Sequence, residues 1–164
     1  RSIKNGVQWK NALALFNTDA KKGLLEYEKL TINMNWNRSF LFNYGGILYD
    51  AGEYEKCIDH FEKQGYLFYN TTQFVLLGTS NEVLKKYEKA EFYYKKASAL
   101  IPHKFIPKYK LFKLYELTKS DEKAYQMATE IRNMKIKIFS DEVKKIKTEI
   151  NSYISSRTNE IKKP

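Results

Sequence analysis

The sequence predicts an all-α solenoid, with four helical hairpins stacked as a right-handed superhelix and closed by a C-terminal capping helix. Helix-forming residues are abundant, and only seven glycines and three prolines occur among the 164 residues. Small and aromatic residues also recur at intervals of about 34 residues, a period typical of stacked helical repeats. The single cysteine, Cys57, excludes an internal disulfide framework. The fold must therefore be stabilised by helix packing.

The clearest helix of this array is the segment YEKAEFYYKKASALIP at 87–102. Ala90, Tyr94 and Ala97 are spaced by four and three residues, so they share one helical face. The alanines let a neighbouring helix approach closely. Pro102 ends the helix because proline has no N–H to donate and clashes with the preceding turn. This arrangement of small, aromatic and small residues before a proline resembles the second helix of a tetratricopeptide repeat.

Phasing from this helix assigns residues 1–139 to a repeat array. The predicted repeats are 4–37, 38–70, 71–104 and 105–138. The second repeat carries the pattern most completely, in FLFNYGGILYDAGEYEKCIDHFEK. The first departs from the consensus at Asn11 and Ala20. The fourth has Phe112 where a small residue is usual, so we expect its helix spacing to differ.

Residues 140–164 are predicted to form a capping helix and a frayed tail. Ser140 followed by two acids is a favourable helix start. An apolar stripe follows at helical spacing, formed by Val143, Ile146, Ile150 and Tyr153. Lysines occupy the opposite face, as expected for a helix that closes a solenoid. Fraying is expected from Ser155 onward, because almost nothing apolar remains there.

No sequence pattern for catalysis or cofactor binding occurs. A Gly-rich phosphate loop, a nucleophile elbow and an acid pair in a predicted cleft are all missing. Cys57 and His60 stand three residues apart on one helix, but a metal site needs three or four ligands and His103 lies in a distant turn. Cys57 also fills the small core position that alanine takes in other repeats. We therefore expect this region to have no enzyme activity, cofactor or metal.

The net charge of +10 raises the question of nucleic-acid binding. Only four of the 29 basic residues are arginine, the side chain best suited to reading bases and phosphates. The lysines are spread along the chain and form no continuous basic arm. These observations argue against nucleic acid as the partner. The segment also has no apolar run long enough to span a membrane.

In tetratricopeptide proteins the ligand normally lies on the concave face, which the first helix of each repeat lines. The resemblance therefore implies a groove that binds a protein or peptide partner. The register places eight residues in it, Phe42, Tyr49, Asp50, Thr79, Glu82, Tyr109, Lys113 and Glu116. Repeats that bind chaperone C-termini use lysine, arginine and asparagine at positions held here by Phe42, Gly46 and Thr79, so that ligand is not expected.

Aromatic and basic side chains set the character of this predicted groove. Lys108 and Lys110 are expected to rim it together with Lys113. Tyrosine rings offer a large contact area and can stack on sugars as well as on side chains. The alternative is that half of these aromatic residues pack between the repeats.

A narrower resemblance covers approximately residues 20–155. The segments LIPHKFIPKYKLFKLYELTKSDEKAYQMATEI and NMKIKIFSDEVKKIKTEI resemble the C-terminal repeat region of bacterial O-antigen ligase or polymerase-type membrane proteins. The earlier FLFNYGGILYDAGEYEKCI resembles the matching segment of the same proteins. The chain departs from them at 135–138, where Lys-Ile-Lys-Ile replaces a Pro-Val pair. The resemblance transfers no catalytic residue, because the ligase chemistry would belong to a membrane part.

The expected function is a non-catalytic scaffold that positions a protein partner for surface polysaccharide assembly. The chain begins at Arg1 without a methionine, and we expect it to be part of a longer, membrane-embedded protein. The resemblance implies a location on the periplasmic side of the bacterial inner membrane. One alternative is a free-standing adaptor, cytoplasmic, that binds an extended peptide. Another is a module that binds polysaccharide or an anionic surface.

Overall fold

The computed structural model describes residues 2–65, 69–137 and 139–161. These residues form nine α-helices. Their bounds are α1 Ser2–Thr18, α2 Ala20–Met34, α3 Arg38–Asp50, α4 Tyr54–Gln64, α5 Thr71–Val83, α6 Tyr87–Leu100, α7 Phe105–Leu117, α8 Asp121–Asn133 and α9 Asp141–Ile161. None of the helices described is both long and apolar enough to cross a bilayer.

Consecutive helices pack as hairpins, and each hairpin packs on the next. We call α1, α3, α5 and α7 the first helices and α2, α4, α6 and α8 the second helices. Each first helix from α3 onward contacts the second helix before it, and α3, α5 and α7 also contact one another in sequence. The helix α9 contacts α8 and α7 in the same way, so it takes the place of a further first helix. The repeat boundaries drawn from the sequence stay predictions.

The turns inside the second, third and fourth hairpins share one backbone conformation. Gly52, Lys85 and Lys119 occupy equivalent positions and have φ values of +76°, +58° and +53°. The same pattern of backbone hydrogen bonds from the turn to the end of the first helix closes each of them. Glycine suits this left-handed conformation, whereas a side chain there costs about 1 kcal/mol or more. The two lysines adopt it nevertheless, within turns that these backbone hydrogen bonds close.

Close contact between the two helices of a hairpin depends on one small residue opposite one large residue. A Cβ atom at Gly45 would lie 2.2 Å from Phe61, and one at Gly78 would lie 2.4 Å from Tyr94. In the fourth hairpin the sizes are exchanged, because Phe112 stands at the glycine position and Ala128 at the aromatic position. Both are fully buried in one core cluster. The small side chain of Ala128 thus compensates for the large side chain of Phe112, which was expected to change the helix spacing of this repeat.

The first hairpin uses a different close contact. A Cβ atom at Gly23 would lie 2.3 Å from the Cα of Phe16, so the backbones of α1 and α2 nearly touch there. Trp9 of α1 packs, partly buried, against the core. Its Nε1 donates to the Tyr27 hydroxyl at 3.0 Å and to Asn43 Oδ1 at 2.9 Å. These bonds connect the first hairpin to α3.

The helix α9 closes the C-terminal end of the core. Ile146, Ile150 and Ile154 are at most 4% exposed, and they form part of the same cluster as Phe112. The Tyr153 ring packs edge-on against Phe112, with centroids 4.9 Å apart. Lysines on the outward face of α9 remain exposed. The helix therefore has the apolar inner and polar outer sides of a cap.

The capping helix is longer than the sequence predicted. Fraying was expected from Ser155, but α9 continues to Ile161. Ile154 is buried and Arg157 donates to Asp121 Oδ1 of α8 at 2.9 Å, so contacts with the last hairpin stabilise the additional turn. The final residues of the predicted tail, 162–164, lie outside the described part of the chain.

Candidate partner-binding groove

Seven of the eight predicted groove residues lie, together with Gly46 and Val75, at equivalent positions of three successive first helices. The three rows across α3, α5 and α7 are Phe42, Val75 and Tyr109, then Gly46, Thr79 and Lys113, then Tyr49, Glu82 and Glu116. All nine are at least partly exposed. Asp50 lies exposed at the end of α3, next to the third row. Because the first helices are neighbours, these rows form one surface, which we call the first-helix face.

A tyrosine-centred hydrogen-bond network fixes the middle of this face. The Tyr94 hydroxyl, from the second helix α6, donates to Glu82 Oε2 at 2.7 Å and lies 3.0 Å from Thr79 Oγ1. Burial raises the pKa of Tyr94, and the Glu82 carboxylate raises it further. Tyr49 contributes a hydroxyl contact to Thr79, and its ring packs edge-on against Tyr54 with centroids 5.7 Å apart. Both Thr79 and Glu82 therefore have hydrogen bonds within the protein.

A second network fixes the C-terminal end of the face. The Tyr109 hydroxyl donates to Glu149 Oε2 at 2.6 Å. Lys113 Nζ donates to Glu116 Oε2 at 2.8 Å and to Glu149 Oε1 at 3.0 Å. Burial raises the pKa of Tyr109 to about 12, with a further contribution from its hydrogen bond to Glu149. The pKa of Lys113 is also raised, chiefly by its hydrogen bond to Glu116.

Glu149 is a residue of this face that the sequence interpretation missed. It lies on α9 and reaches the face through its contacts with Tyr109 and Lys113 of α7. Burial by itself raises its pKa, but hydrogen bonds from Tyr109 and Lys113 outweigh that effect and lower it. The 34-residue interval continued from Lys113 leads to Lys147 rather than to Glu149, so the repeat register does not predict its place.

Some aromatic residues of the first helices lie on the first-helix face, and others lie in the core. Phe42, Tyr49 and Tyr109 are half-buried, so each packs with part of its ring and exposes the rest. Phe42 rests on the ring of Phe61, with centroids 6.0 Å apart. Other aromatic residues of the first helices, such as Tyr115, are buried in the core. On α3, α5 and α7 the accessible aromatic surface is therefore contributed by the predicted groove positions.

One of the basic residues expected at the rim is not there. Lys108 is only 7% exposed and forms an ion pair with Glu130 of α8. It lies on the side of α7 that packs against its own second helix, so it turns away from the first-helix face. Lys110 is half-buried, while Lys113 lies on the face as expected. The basic character of the groove is thus smaller than the lysine count suggests.

Cys57 and His60 have environments typical of core residues. Cys57 is fully buried, and burial raises its pKa to about 11. His60 Nε2 lies 2.7 Å from the carbonyl oxygen of Leu41, and burial lowers its pKa. Within the described ranges no three His, Cys, Asp or Glu residues are arranged to hold a metal ion. The two residues thus contribute to packing between α4 and its neighbours.

The arrangement of helices matches that of solved helical-repeat proteins. A crystal structure of MamA superposes with a TM-score of 0.71 at 17% identity, covering 94% of this chain and 90% of that one. The fold is a tetratricopeptide-type α-solenoid. A second MamA structure, from MSR-1, gives a TM-score of 0.67 at 17% identity and covers 91% of this chain and 78% of that one. A further MamA structure gives a TM-score of 0.66 at 20% identity and covers 85% of this chain and 86% of that one.

Identity this low establishes the fold alone, and the predicted all-α repeat fold is confirmed at that level. No family model matches the chain, and no curated protein matches it.

Proposed function

We propose that this chain is a non-catalytic interaction scaffold that binds an extended segment of a protein partner along its first-helix face. One observation carries the proposal. Residues from three first helices lie in register, are partly exposed, and have their polar atoms held by hydrogen bonds. Side chains that are already fixed lose little conformational entropy on binding, so a preorganised face favours recognition.

The state of the acidic residues on this face supports a non-catalytic role. Glu82 accepts from Tyr94, and Glu149 accepts from both Tyr109 and Lys113. The lowered pKa of Glu149 keeps it ionised, whereas a general acid at neutral pH needs a raised pKa. These carboxylates therefore stabilise the surface rather than transfer protons.

Partner capture tests the proposal directly. We expect Tyr49→Ala combined with Tyr109→Ala to lose partners that the wild type retains in a pull-down from native envelope extracts, because half-exposed aromatic residues supply much of an interface's binding energy. The matched control is Phe92→Ala with Tyr125→Ala, which removes two exposed rings from second helices instead. If the groove variant retains every partner, the first-helix face is not the binding surface.

The salt dependence of partner capture distinguishes binding of a protein segment from binding of a polyanion. The lysine of the face, Lys113, is already paired with Glu116 and Glu149, and the exposed rings supply apolar contact area, so raising salt should weaken capture only modestly. Binding through six to ten phosphate contacts would fall by about 10³-fold or more between low and moderate salt. A collapse of that size, with capture following nucleic acid or anionic lipid, would favour an anionic-surface module instead.

We further propose that the chain is the soluble repeat region of an O-antigen ligase-like membrane protein of surface polysaccharide assembly, on the periplasmic side of the inner membrane. The sequence resemblance over residues 20–155 supports this context. The test is to read the coding sequence upstream of Arg1 and to label the region in intact and permeabilised cells. Many upstream spans and periplasmic labelling are expected. A nearby start methionine with cytoplasmic labelling would favour the free-standing peptide adaptor.

A further inference from the structure

A cavity of about 580 Å³ lies where the N-terminal ends of α5, α7 and α9 meet. Its walls are mainly apolar and come from all three helices. They include Val75 and Leu76 of α5, Phe105 and Ile106 of α7, and Val143 of α9. The volume is within the range of about 300–1,000 Å³ that small-molecule sites occupy. Shape and lining therefore suit a compact apolar ligand.

Charged side chains of the lining come from the helix ends and the connections between helices. Lys104 and Lys137 contribute two positive charges and Glu142 one negative charge, and His103 stands beside them. With the histidine neutral, the described lining carries a net charge of +1. A ligand with one negative group would balance it.

Two polar features of the wall lack partners among the described residues. Thr71 is 7% exposed and lines the cavity, and its Oγ1 makes no hydrogen bond to any of them. The residue before α7, Lys104, forms no side-chain cap, whereas Asn70 caps α5 and Ser140 caps α9. Uncapped N–H groups at a helix start favour an anion, and a buried hydroxyl needs a partner. Both features indicate where an anionic group would bind.

We propose that this cavity binds a small monoanionic amphiphile, a carboxylate with an aliphatic tail. The tail would fill the apolar space between Leu76, Ile106 and Val143. The carboxylate would lie at the start of α7, within reach of Lys104 and of the Thr71 hydroxyl after a χ1 rotation, which threonine tolerates in a helix. An extended peptide fits less well, because its backbone needs hydrogen-bond partners along its length and this lining is mainly apolar. The proposal does not depend on partner binding at the first-helix face.

The first experiment compares three ligands that share one tail. Dodecanoate, dodecanol and dodecylammonium are titrated into the protein below their aggregation concentrations and followed by calorimetry. We expect dodecanoate to bind with one-to-one stoichiometry and about tenfold or more tighter than dodecanol, since a charge-assisted hydrogen bond contributes about 1.5–3 kcal/mol. Dodecylammonium should bind most weakly. Equal affinities for the three, or binding only to vesicles of anionic lipid, would overturn the proposal.

The second experiment locates the site with variants. Ile106→Trp should abolish dodecanoate binding by filling the cavity. Lys104→Glu with Lys137→Glu should remove the preference for dodecanoate over dodecanol. The control, Lys85→Glu with Lys86→Glu, places the same charge change in the turn between α5 and α6 and should leave both affinities unchanged. Thermal unfolding by circular dichroism confirms that each variant folds. Unchanged dodecanoate binding by a folded Ile106→Trp would show that the cavity is not the site.

Discussion

Single residues in α3 show how closely the hairpins are fitted. Gly45 and Gly46 are neighbours in the sequence, but only one of them faces the core. A Cβ atom on Gly45 would lie 2.2 Å from the Phe61 ring, whereas one on Gly46 would meet nothing within 4 Å. Phe61 is fully buried and cannot swing into solvent. The same substitution at the two glycines should therefore have opposite effects.

We predict that Gly45→Ala lowers the free energy of unfolding by about 1–3 kcal/mol, because the added methyl group forces Phe61 or the helix to move. Gly46→Ala should raise it by about 0.5–1 kcal/mol, since alanine is the better helix former at an unobstructed position. Urea unfolding of the two variants beside the wild type measures both values. A loss of similar size in both would mean that glycine is needed at Gly46 for another reason.

At the scale of the element, α9 is attached by charge as well as by apolar contacts. Glu149 accepts from Tyr109 and Lys113 of α7, and Lys147 Nζ donates to the carbonyl oxygens of Arg132 and Met134, at 2.7 and 2.8 Å. The bonds from Lys147 place a positive charge at the C-terminal end of α8, where the helix dipole favours it. Polar contacts therefore connect α9 to both helices of the last hairpin.

The lowered pKa of Glu149 makes this attachment sensitive to acid. A carboxyl group whose pKa is lower in the folded protein stabilises it above the unfolded pKa of about 4.3, and this contribution is lost as pH falls through the folded pKa. We predict that Glu149→Gln is less stable than wild type at pH 7, and that the difference shrinks progressively below about pH 5. Urea unfolding at a series of pH values measures it.

A matched control separates this effect from the general change of charge. Glu55 is exposed in the first turn of α4, and Glu55→Gln removes the same charge far from α9. Its stability difference from wild type should be small and should not follow the acid profile of Glu149→Gln. A Glu149→Gln deficit that grows toward acid would contradict the assigned hydrogen bonds.

At the scale of the whole molecule, the core is divided along the solenoid. The buried apolar residues form two clusters, one spanning α1 to α6 and the other α6 to α9. In a stacked array each hairpin contacts only its neighbours, so a local loss of stability should remain local. Hydrogen exchange can detect this, because it reports opening of individual helices.

We predict that Ile150→Ala destabilises the protein by about 2–5 kcal/mol, since it leaves a cavity at a fully buried position. Amide exchange should accelerate strongly in α7 to α9 and much less in α1 to α4. Lys144→Ala, on the exposed face of the same helix, should change neither stability nor exchange. Uniform acceleration along the chain would show that the array unfolds as a single cooperative unit.

The fold class could be predicted from the sequence alone. The spacing of Ala90, Tyr94 and Ala97, repeated one period away on either side, defines helical faces and their hairpin phase, because residues three and four apart share a face. The register of the repeats also placed Phe42, Tyr49 and Tyr109 at positions that are partly exposed in the structure. Their role in binding stays a prediction.

Which groups meet on those faces could not be predicted, because it depends on how the helices pack in three dimensions. The Tyr109 hydroxyl donates to Glu149, which lies 40 residues further along the chain, and Lys108 forms an ion pair with Glu130, 22 residues further along. Phe112 and Ala128 are buried in the same cluster. The cavity at the ends of α5, α7 and α9 likewise exists only where three separated helices converge. Periodicity fixes the direction of a side chain from its own helix. What lies opposite depends on how neighbouring helices pack, and packing is set by all their side chains together.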